Sequence, residues 1–323
     1  MEHTINLHSD NNTFRNAIQA TSDALKILPV FIEKDYWISL ILKRLSESKY
    51  VDSVVFKGGT SLSKGFKLIN RFSEDVDIAV IDVADISGNQ LKTLIRTVEK
   101  EIARDLEEIK VEGVTSKGSR FRKSVYKYPE TQKAKAFETV SNTIIVEINS
   151  FANPYPYFKV SMESLIGEYL KNNNQTDLIT KYGLEAFEVN VLDMKQTLIE
   201  KLVSLIRFSF AENSLEQLSG KIRHFYDLYY LANNKECSAY LRTDKFKTDF
   251  NSILEHDRKA FDEPTGWNKK VVTESPLLTN FDELWNTLRL VYSKELSMLA
   301  YAKIPEEKEI AKNFKQFIPK IIE

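Results

Sequence analysis

The sequence predicts an α+β fold: an N-terminal domain with a mixed sheet flanked by helices, followed by a mainly α-helical C-terminal domain. In the first half, short apolar segments of strand length alternate with longer amphipathic ones, whereas the second half contains mostly segments of helical period. With 10 glycines and 8 prolines in 323 residues, regular structure should predominate. The composition changes after NPYPY at 153–157, which places the two domains at 1–155 and 156–323.

The elements of the N-terminal half follow from local period. Segments with apolar residues every three or four positions are assigned to helices, and short apolar or β-branched runs to strands. For example, Phe31, Tyr36 and Leu40 recur at roughly helical spacing after Pro29. In chain order the predicted elements are helices at 9–25 and 30–48, a strand at 51–59, a short helix at 61–69, a strand at 74–82, a long helix at 88–109, and strands at 120–129 and 142–151.

The C-terminal half is predicted from the same patterns. One more strand at 187–193 opens it, and amphipathic segments with charged outer positions follow. The predicted helices lie at 194–210, 214–233, 243–261, 281–299 and 306–318.

Composition limits the possible functions. Lys and Arg number 45 against 46 Asp and Glu, so a surface for nucleic acid must be local rather than global. The single cysteine, Cys237, excludes an internal disulfide, fits a reducing compartment, and has no histidine partner in a recognisable nucleophile motif. The longest apolar helical segment is interrupted by Lys201 and Arg207, which argues against a membrane span. We therefore expect a soluble, cytoplasmic protein without membrane contact.

Two aspartates in a predicted strand form the strongest candidate site. Asp75 and Asp77 are one residue apart, so their side chains project from the same face, roughly 7 Å apart along the backbone. Aspartate is disfavoured in strands, and two carboxylates this close repel each other unless a cation lies between them. Mg²⁺ prefers carboxylate oxygens and keeps waters that substrate phosphates can replace.

A glycine turn precedes this pair. In KGGTSL, Gly58 and Gly59 allow the backbone to approach a ligand closely, and amide groups at a helix start favour phosphate. Glu147, an acidic residue within an apolar strand, is the candidate third carboxylate, although an exposed edge position would also explain it. Separately, these features fit a tight turn and a solvent-facing pair. Their order along the chain predicts phosphoryl or nucleotidyl transfer through metal ions.

The segments FIEKDYWISLIL, FKGGTSLSKGF and RFSEDVDIAV together closely resemble the AbiEii/AbiGii-type nucleotidyltransferase toxin family, within the DNA polymerase β-like nucleotidyltransferase superfamily. The resemblance continues through LIEKL and RHFYDLYYL and so covers about residues 31–231. Gly59 and Asp75 are further apart than in the superfamily's general pattern, as is usual in the toxin-like branch.

The resemblance implies an N-terminal nucleotidyltransferase-fold domain, a helical domain that contributes to the active-site cleft, two Mg²⁺ ions and an NTP substrate. It implies nucleotide binding by Gly58, Gly59, Thr60, Ser61, Ser73, Lys201 and Arg223. It implies catalytic roles for Asp75, Asp77, Lys201 and Asp227. Metal binding is implied for Asp75 and Asp77, with Glu147 as the third candidate.

The residues themselves leave other interpretations open for the downstream positions. Lys201 lies on a mainly apolar helix and could extend its ammonium to the surface along an apolar stem. Arg223 and Asp227 are four apart on a helix, so a surface ion pair explains them equally well. His224, in a helix rich in tyrosine, is interpreted as a packing residue rather than a general base.

A basic segment at 117–135 bears on the acceptor. Seven cations against Glu130 give it a local charge of +6, and Phe121, Tyr126 and Tyr128 are interleaved with them. The cations are Lys117, Arg120, Arg122, Lys123, Lys127, Lys133 and Lys135. Such a segment suits an RNA backbone, and a solvated hairpin explains it equally well.

The predicted function is therefore Mg²⁺-dependent transfer of NMP from an NTP to an acceptor hydroxyl, with tRNA favoured over other RNA. The enzyme would act as the toxin of a toxin–antitoxin or phage-abortive-infection system, with a cognate antitoxin as a possible partner. The alternatives are a protein or small-molecule acceptor, and a non-catalytic interaction protein that keeps the fold.

Overall fold

The computed structural model describes residues 5–81, 86–131 and 141–322. The chain forms two compact units: unit 1 comprises Met1–Lys67 and Phe72–Leu192, and unit 2 comprises Leu68–Arg71 and Asp193–Glu323. Unit 1 contains a mixed sheet flanked by helices, and unit 2 is helical. The predicted α+β class is therefore confirmed.

Eight strands of the described residues form one sheet in unit 1. They are β1 (Val54–Lys57), β2 (Asp75–Val80), β3 (Glu107–Ile109), β4 (Ser116–Lys117), β5 (Phe121–Lys127), β6 (Thr143–Asn149), β7 (Tyr157–Met162) and β8 (Phe187–Leu192). Their order is β3-β5-β6-β2-β1-β8-β7, with β4 paired to β5. The central strand β2 is antiparallel to β1 and parallel to β6.

The alternation of side chains along β2 and β6 gives the sheet two different faces. Val76 and Ile78 of β2 and Val146 of β6 are fully buried in the core. Asp75 and Asp77, at the alternate positions of β2, are only partly buried. One face of the sheet is thus apolar, and the other presents charged side chains at its centre.

The helices of unit 1 pack around this sheet. They are α1 (Asn11–Leu25), α2 (Pro29–Glu47), α3 (Gly58–Thr60), α4 (Gly88–Ile102), α5 (Leu165–Asn172) and α6 (Thr176–Tyr182). Helix α4 contacts β5 and β6, where its buried Glu99 accepts hydrogen bonds from Arg122 Nε (2.6 Å) and from the hydroxyl of Ser124. Arg122 and Ser124 therefore point to the face covered by α4. Lys123, between them on β5, points to the opposite, charged face.

Unit 2 is built from helices around an aromatic core. They are α7 (Met194–Ser209), α8 (Ser214–Ser219), α9 (Ile222–Asn233), α10 (Lys235–Tyr240), α11 (Asp244–Ala260), α12 (Pro276–Thr279), α13 (Phe281–Leu299) and α14 (Glu307–Phe317). Phe225 of α9 packs against Trp285 of α13 and Phe314 of α14, at ring-centroid distances of 5.3 and 5.0 Å. In the described part of the chain, none of the helices is long and apolar enough to cross a membrane.

Several element boundaries differ from the sequence-based expectation. The helix expected at 88–109 ends at Ile102, and Glu107–Ile109 pairs with β5 as β3 after Asp105 adopts a left-handed backbone with φ 68°. The helix expected at 214–233 is two helices, because the chain breaks at Gly220 and Lys221. Strands β7 and β8, which follow the composition change at 153–157, pair with each other within unit 1.

Candidate active site

The glycine turn joins β1 to a short helical segment. Gly58 begins α3 with φ 80°, and a π-helical turn continues from Ser61 to Gly65. Ser61 Oγ donates to the carbonyl of Gly58 at 2.8 Å, which closes the turn on itself. The hydroxyl of Thr60 donates to the carbonyl of Asp75, so the turn is bonded directly to the strand that carries the acidic pair.

Gly58 lies in close contact with Asp77. A Cβ atom added at Gly58 would lie 2.1 Å from Asp77 Oδ2, far inside van der Waals contact. Glycine is therefore required at this position for two reasons. The positive φ is strained for other residues, and a side chain would displace the carboxylate of Asp77. The turn and the acidic pair form one local structure.

The register of the sheet places opposite charges in a row across four strands. Lys57 of β1 pairs with Asp77 of β2, Asp77 with Glu147 of β6, and Glu147 with Lys123 of β5. Paired residues on neighbouring strands point to the same face, about 5 Å apart, and Asp75 points there as well. Lys123 Nζ lies 3.4 Å from Glu147 Oε2. Glu147 thus lies on the central strand pair, and not on an exposed edge.

The pKa of Asp77 reflects this crowding. Burial raises it, and the negative charges of Glu147 and Asp75 raise it further, to about 8. Lys57 and Lys123 oppose the shift without cancelling it. A carboxyl group with so high a pKa holds a proton near pH 7, unless a nearby positive charge lowers the pKa.

The carboxylates provide a donor set of the kind that hard divalent cations prefer. Asp75, Asp77 and Glu147 share one face, and the charges of Glu147 and Asp75 add to the effect of burial in raising the pKa of Asp77. Their chemistry, rather than a preformed cluster, makes them candidate ligands for Mg²⁺. Within 5–81, 86–131 and 141–322, no three His, Cys, Asp or Glu side chains already have the arrangement of a metal site.

The lead-in to β2 contains further residues at the site. Ser73 is buried beside the acidic strand, and Glu74 forms an ion pair with Lys34 of α2. Lys34 and its neighbours Glu33 and Asp35 are all buried, although charges near a helix start are commonly capping residues at the surface. Their place near the helix start favours capping roles for Lys34 and Asp35, and their burial corrects that interpretation. The available signal was three successive charges flanked by apolar residues on both sides, because one helix turn cannot direct all three to solvent.

Unit 2 holds a separate cluster of buried charges. Asp227 is fully buried and accepts from Arg71 through both oxygens, at 2.7 and 2.6 Å, while Lys201 Nζ lies 2.9 Å from Oδ2. Burial alone would raise the pKa of Asp227, but the attraction of Arg71 and Lys201 outweighs it and holds the pKa below its usual range. The partners of Asp227 are thus Arg71 and Lys201, rather than Arg223 in a surface ion pair.

Lys201 and His224 adjoin this cluster. Lys201 is buried, so its ammonium is held by Asp227 and does not extend along an apolar stem to the surface. Burial and the nearby positive charges of Lys201 and Lys221 lower the pKa of His224 well below its usual value. Its imidazole is therefore neutral near pH 7. Arg223, one residue before it, is partly buried.

The basic segment at 117–135 does not act as one surface. Lys117 pairs with Glu108, Arg122 with buried Glu99, and Lys123 with Glu147. Arg120 and Lys127 are exposed, and Lys127 points to the same face of the sheet as Lys123. Lys133 and Lys135 lie outside the described residues.

A glycine turn packed against an Asp-x-Asp strand, with Glu147 on the parallel neighbouring strand, is the arrangement expected from the sequence for a nucleotidyltransferase. The chain belongs to the AbiEii family: residues 40–320 match the family model described as "Nucleotidyl transferase AbiEii toxin, Type IV TA system". The match continues to residue 320, well past residue 231, where the resemblance recognised in the sequence ends. The family implies an NTP substrate and an antitoxin partner. No curated protein matches the chain.

Gly58→Ala should destabilise unit 1 strongly. The added Cβ meets Asp77 Oδ2 and the backbone is strained at φ 80°, so we expect a loss of about 2–4 kcal/mol in the free energy of unfolding. Gly88→Ala is the matched control, since nothing lies within 4 Å of a Cβ there and α4 begins at that residue. Urea unfolding followed by circular dichroism measures both. Equal effects of the two substitutions would contradict the close approach at Gly58.

The raised pKa of Asp77 predicts a pH-dependent effect of Asp77→Asn. Between about pH 4 and pH 8 the folded protein holds a proton that the unfolded chain has released, so this group makes stability fall as pH rises across that window. The variant lacks the group. The free energy of unfolding of the variant, relative to that of wild type, should therefore rise with pH and level off above pH 8. The total rise should be at least about 1 kcal/mol, because one pKa unit corresponds to about 1.4 kcal/mol.

Urea unfolding at several pH values between 4 and 9 measures this difference. Asp177→Asn, at an exposed carboxylate of α6, serves as the control and should track wild type throughout. A constant difference between Asp77→Asn and wild type over the whole range would show that Asp77 is ionised near pH 7.

Proposed function

We propose that the protein transfers NMP from an NTP to an acceptor hydroxyl in a Mg²⁺-dependent reaction, and that RNA, with tRNA favoured, supplies that hydroxyl. The observation that most directly supports this proposal is the close contact of Asp77 with Gly58, next to Asp75 and Glu147. This contact brings the phosphate-binding candidate and the metal-binding candidate into one site. The role as a toxin follows from the family.

Each residue is assigned a task that its chemistry permits. Asp75 and Asp77 hold two Mg²⁺ ions, with Glu147 as the third carboxylate. Bound Mg²⁺ would neutralise charge on the phosphates and polarise them toward attack. Asp77 gives up its proton when the metal binds, because a divalent cation lowers the pKa that the neighbouring carboxylates raise.

The remaining assignments concern the nucleotide. Gly58, Gly59, Thr60 and Ser61 form the turn beside Asp77, and Ser73 flanks the acidic strand, so we propose that these residues bind the triphosphate, the turn through its backbone amides. Lys201 and Arg223 are proposed to contact phosphate, as the family resemblance implies. Asp227 then positions the Lys201 ammonium, which it holds at 2.9 Å.

Asp77→Asn should abolish transfer while the protein stays folded. The amide keeps the shape of the side chain but loses the charge that binds metal, so we expect a loss of at least about 100-fold in rate. The assay incubates the protein with each labelled NTP, Mg²⁺ and total RNA, and identifies the labelled molecule. Asp177→Asn is the matched control.

The outcomes of this assay separate the alternatives. Label in RNA from wild type and Asp177→Asn, but not from Asp77→Asn, supports the proposal. Label in the protein itself or in a small product would assign a different acceptor. Wild-type activity in Asp77→Asn would remove the acidic pair from the reaction.

Reversal of charge at Arg120 and Lys127 should weaken RNA binding. Both side chains are exposed, so Arg120→Glu with Lys127→Glu leaves the ion pairs of Arg122 and Lys123 intact. For every ionic interaction with a phosphate that the substitutions remove, the dependence of log affinity on log salt should flatten by about 0.7 for a single strand. The control is Lys92→Glu with Lys100→Glu, an equal charge change at exposed positions of α4.

Binding of tRNA across a salt series measures both double variants. A lower affinity and a flatter slope in the Arg120/Lys127 variant alone would support an RNA-binding surface at β5 and the residue that precedes it. Identical behaviour of the two variants would exclude these residues from the acceptor surface and favour a protein or small-molecule acceptor.

A further inference from the structure

Helix α2 contains three consecutive buried charges. Glu33, Lys34 and Asp35 are 3%, 1% and 9% exposed, and the surrounding positions of the helix are mostly apolar. Removing a charge from water costs several kcal/mol unless a partner compensates it. Each of the three has such a partner, and each partner lies on a different segment of unit 1.

Lys34 holds the lead-in to β2. Its Nζ forms an ion pair with Glu74 Oε1, and Glu74 directly precedes Asp75. The carbonyl of Glu74 also accepts from the amide of Ile145 at 2.9 Å, where pairing of β2 with β6 begins. Burial lowers the pKa of Lys34. The negative charge of Glu74 and, to a smaller extent, that of Asp75 oppose this shift. Lys34 thus fixes the start of the acidic strand.

Asp35 holds the glycine turn. Its Oδ1 accepts from Lys64 Nζ at 2.6 Å, and Lys64 lies in the π-helical turn that continues from α3. Its Oδ2 accepts from the backbone amide of Leu165 at 2.7 Å, at the start of α5. Glu33 similarly accepts from the amide and hydroxyl of Thr131, at 2.9 Å each.

We infer that Lys34 and Asp35 are positioning residues that fix the distance between the glycine turn and the acidic strand of the active site. Two adjacent side chains of one rigid helix hold the two halves of the site, through Glu74 for the strand and Lys64 for the turn. Neither residue needs to touch substrate. The inference rests on the proposed function, which assigns triphosphate binding to the turn and metal binding to the strand.

The two contacts predict different kinetic defects. Lys34→Met keeps the apolar stem but releases Glu74, so the Mg²⁺ concentration for half-maximal transfer should rise about tenfold, as when a residue supporting a metal ligand is removed. The KM for NTP should change little. Asp35→Asn releases Lys64 and the turn, so it should raise the KM for NTP and affect the Mg²⁺ requirement less.

Hydrogen exchange provides a readout that does not depend on activity. Amides of residues 72–77 should exchange faster in Lys34→Met, and those of 58–65 and of Leu165 faster in Asp35→Asn, with the rest of unit 1 unchanged. Lys43→Met is the matched control: Lys43 is on the same helix and pairs with Glu185 and the Gly183 carbonyl, which belong to neither half of the site. If Lys34→Met does not fold, Glu74→Gln removes the charge of the partner, which is 34% exposed.

The results separate failure of the inference from failure of the proposed function. Faster exchange confined to 72–77, together with the split between Mg²⁺ and NTP parameters, would support the inference. Uniformly faster exchange, or equal defects in Lys34→Met and Lys43→Met, would overturn it. If wild type labels no acceptor, the proposed function fails, and the exchange data still decide whether Lys34 and Asp35 fix the two segments.

Discussion

Repulsion among the carboxylates of Asp75, Asp77 and Glu147 is the constraint around which unit 1 is organised. Parallel pairing of β2 with β6 brings Asp77 and Glu147 side by side, and Lys57 and Lys123 flank them in the same row. Burial raises the pKa of Asp77, and the charges of Glu147 and Asp75 raise it further than Lys57 and Lys123 lower it. Such an electrostatic cost is typical of a functional site that binds a cation.

Two aspartates, one in each unit, show how environment sets ionisation. Asp77, next to other carboxylates, has a raised pKa, whereas Asp227, between Arg71 and Lys201, has a lowered one. Both are desolvated, so the sign of the neighbouring charges decides the direction. Asp227 is therefore ionised near pH 7 and pairs with Lys201, whereas Asp77 holds a proton at the same pH.

The buried charges of α2 and α4 connect the site to the rest of unit 1. Glu99 ties α4 to β5 through Arg122 and Ser124, on the face away from the carboxylates. Lys34 ties α2 to the segment before β2. Because an unpaired buried charge is far more costly than a paired one, these contacts restrict how the helices can dock on the sheet. The same pairing removes Arg122 from any surface for RNA, although Arg120 nearby in the sequence is exposed.

What the sequence by itself determined were features of short range. The period of two along a strand directs Asp75 and Asp77 to one face, the glycine pair at 58 and 59 indicates a tight turn, and amphipathic period identifies the main helices. Tertiary structure alone decided the partners: Arg71 for Asp227, 156 residues away, Glu74 for Lys34, and Glu147 for Lys123. It also added β3, within a segment assigned to a helix, the two-residue β4, and β7, whose alternating Phe158, Val160 and Met162 were not assigned to a strand. Local periodicity fixes the direction of a side chain, but the group that it meets depends on how distant segments pack.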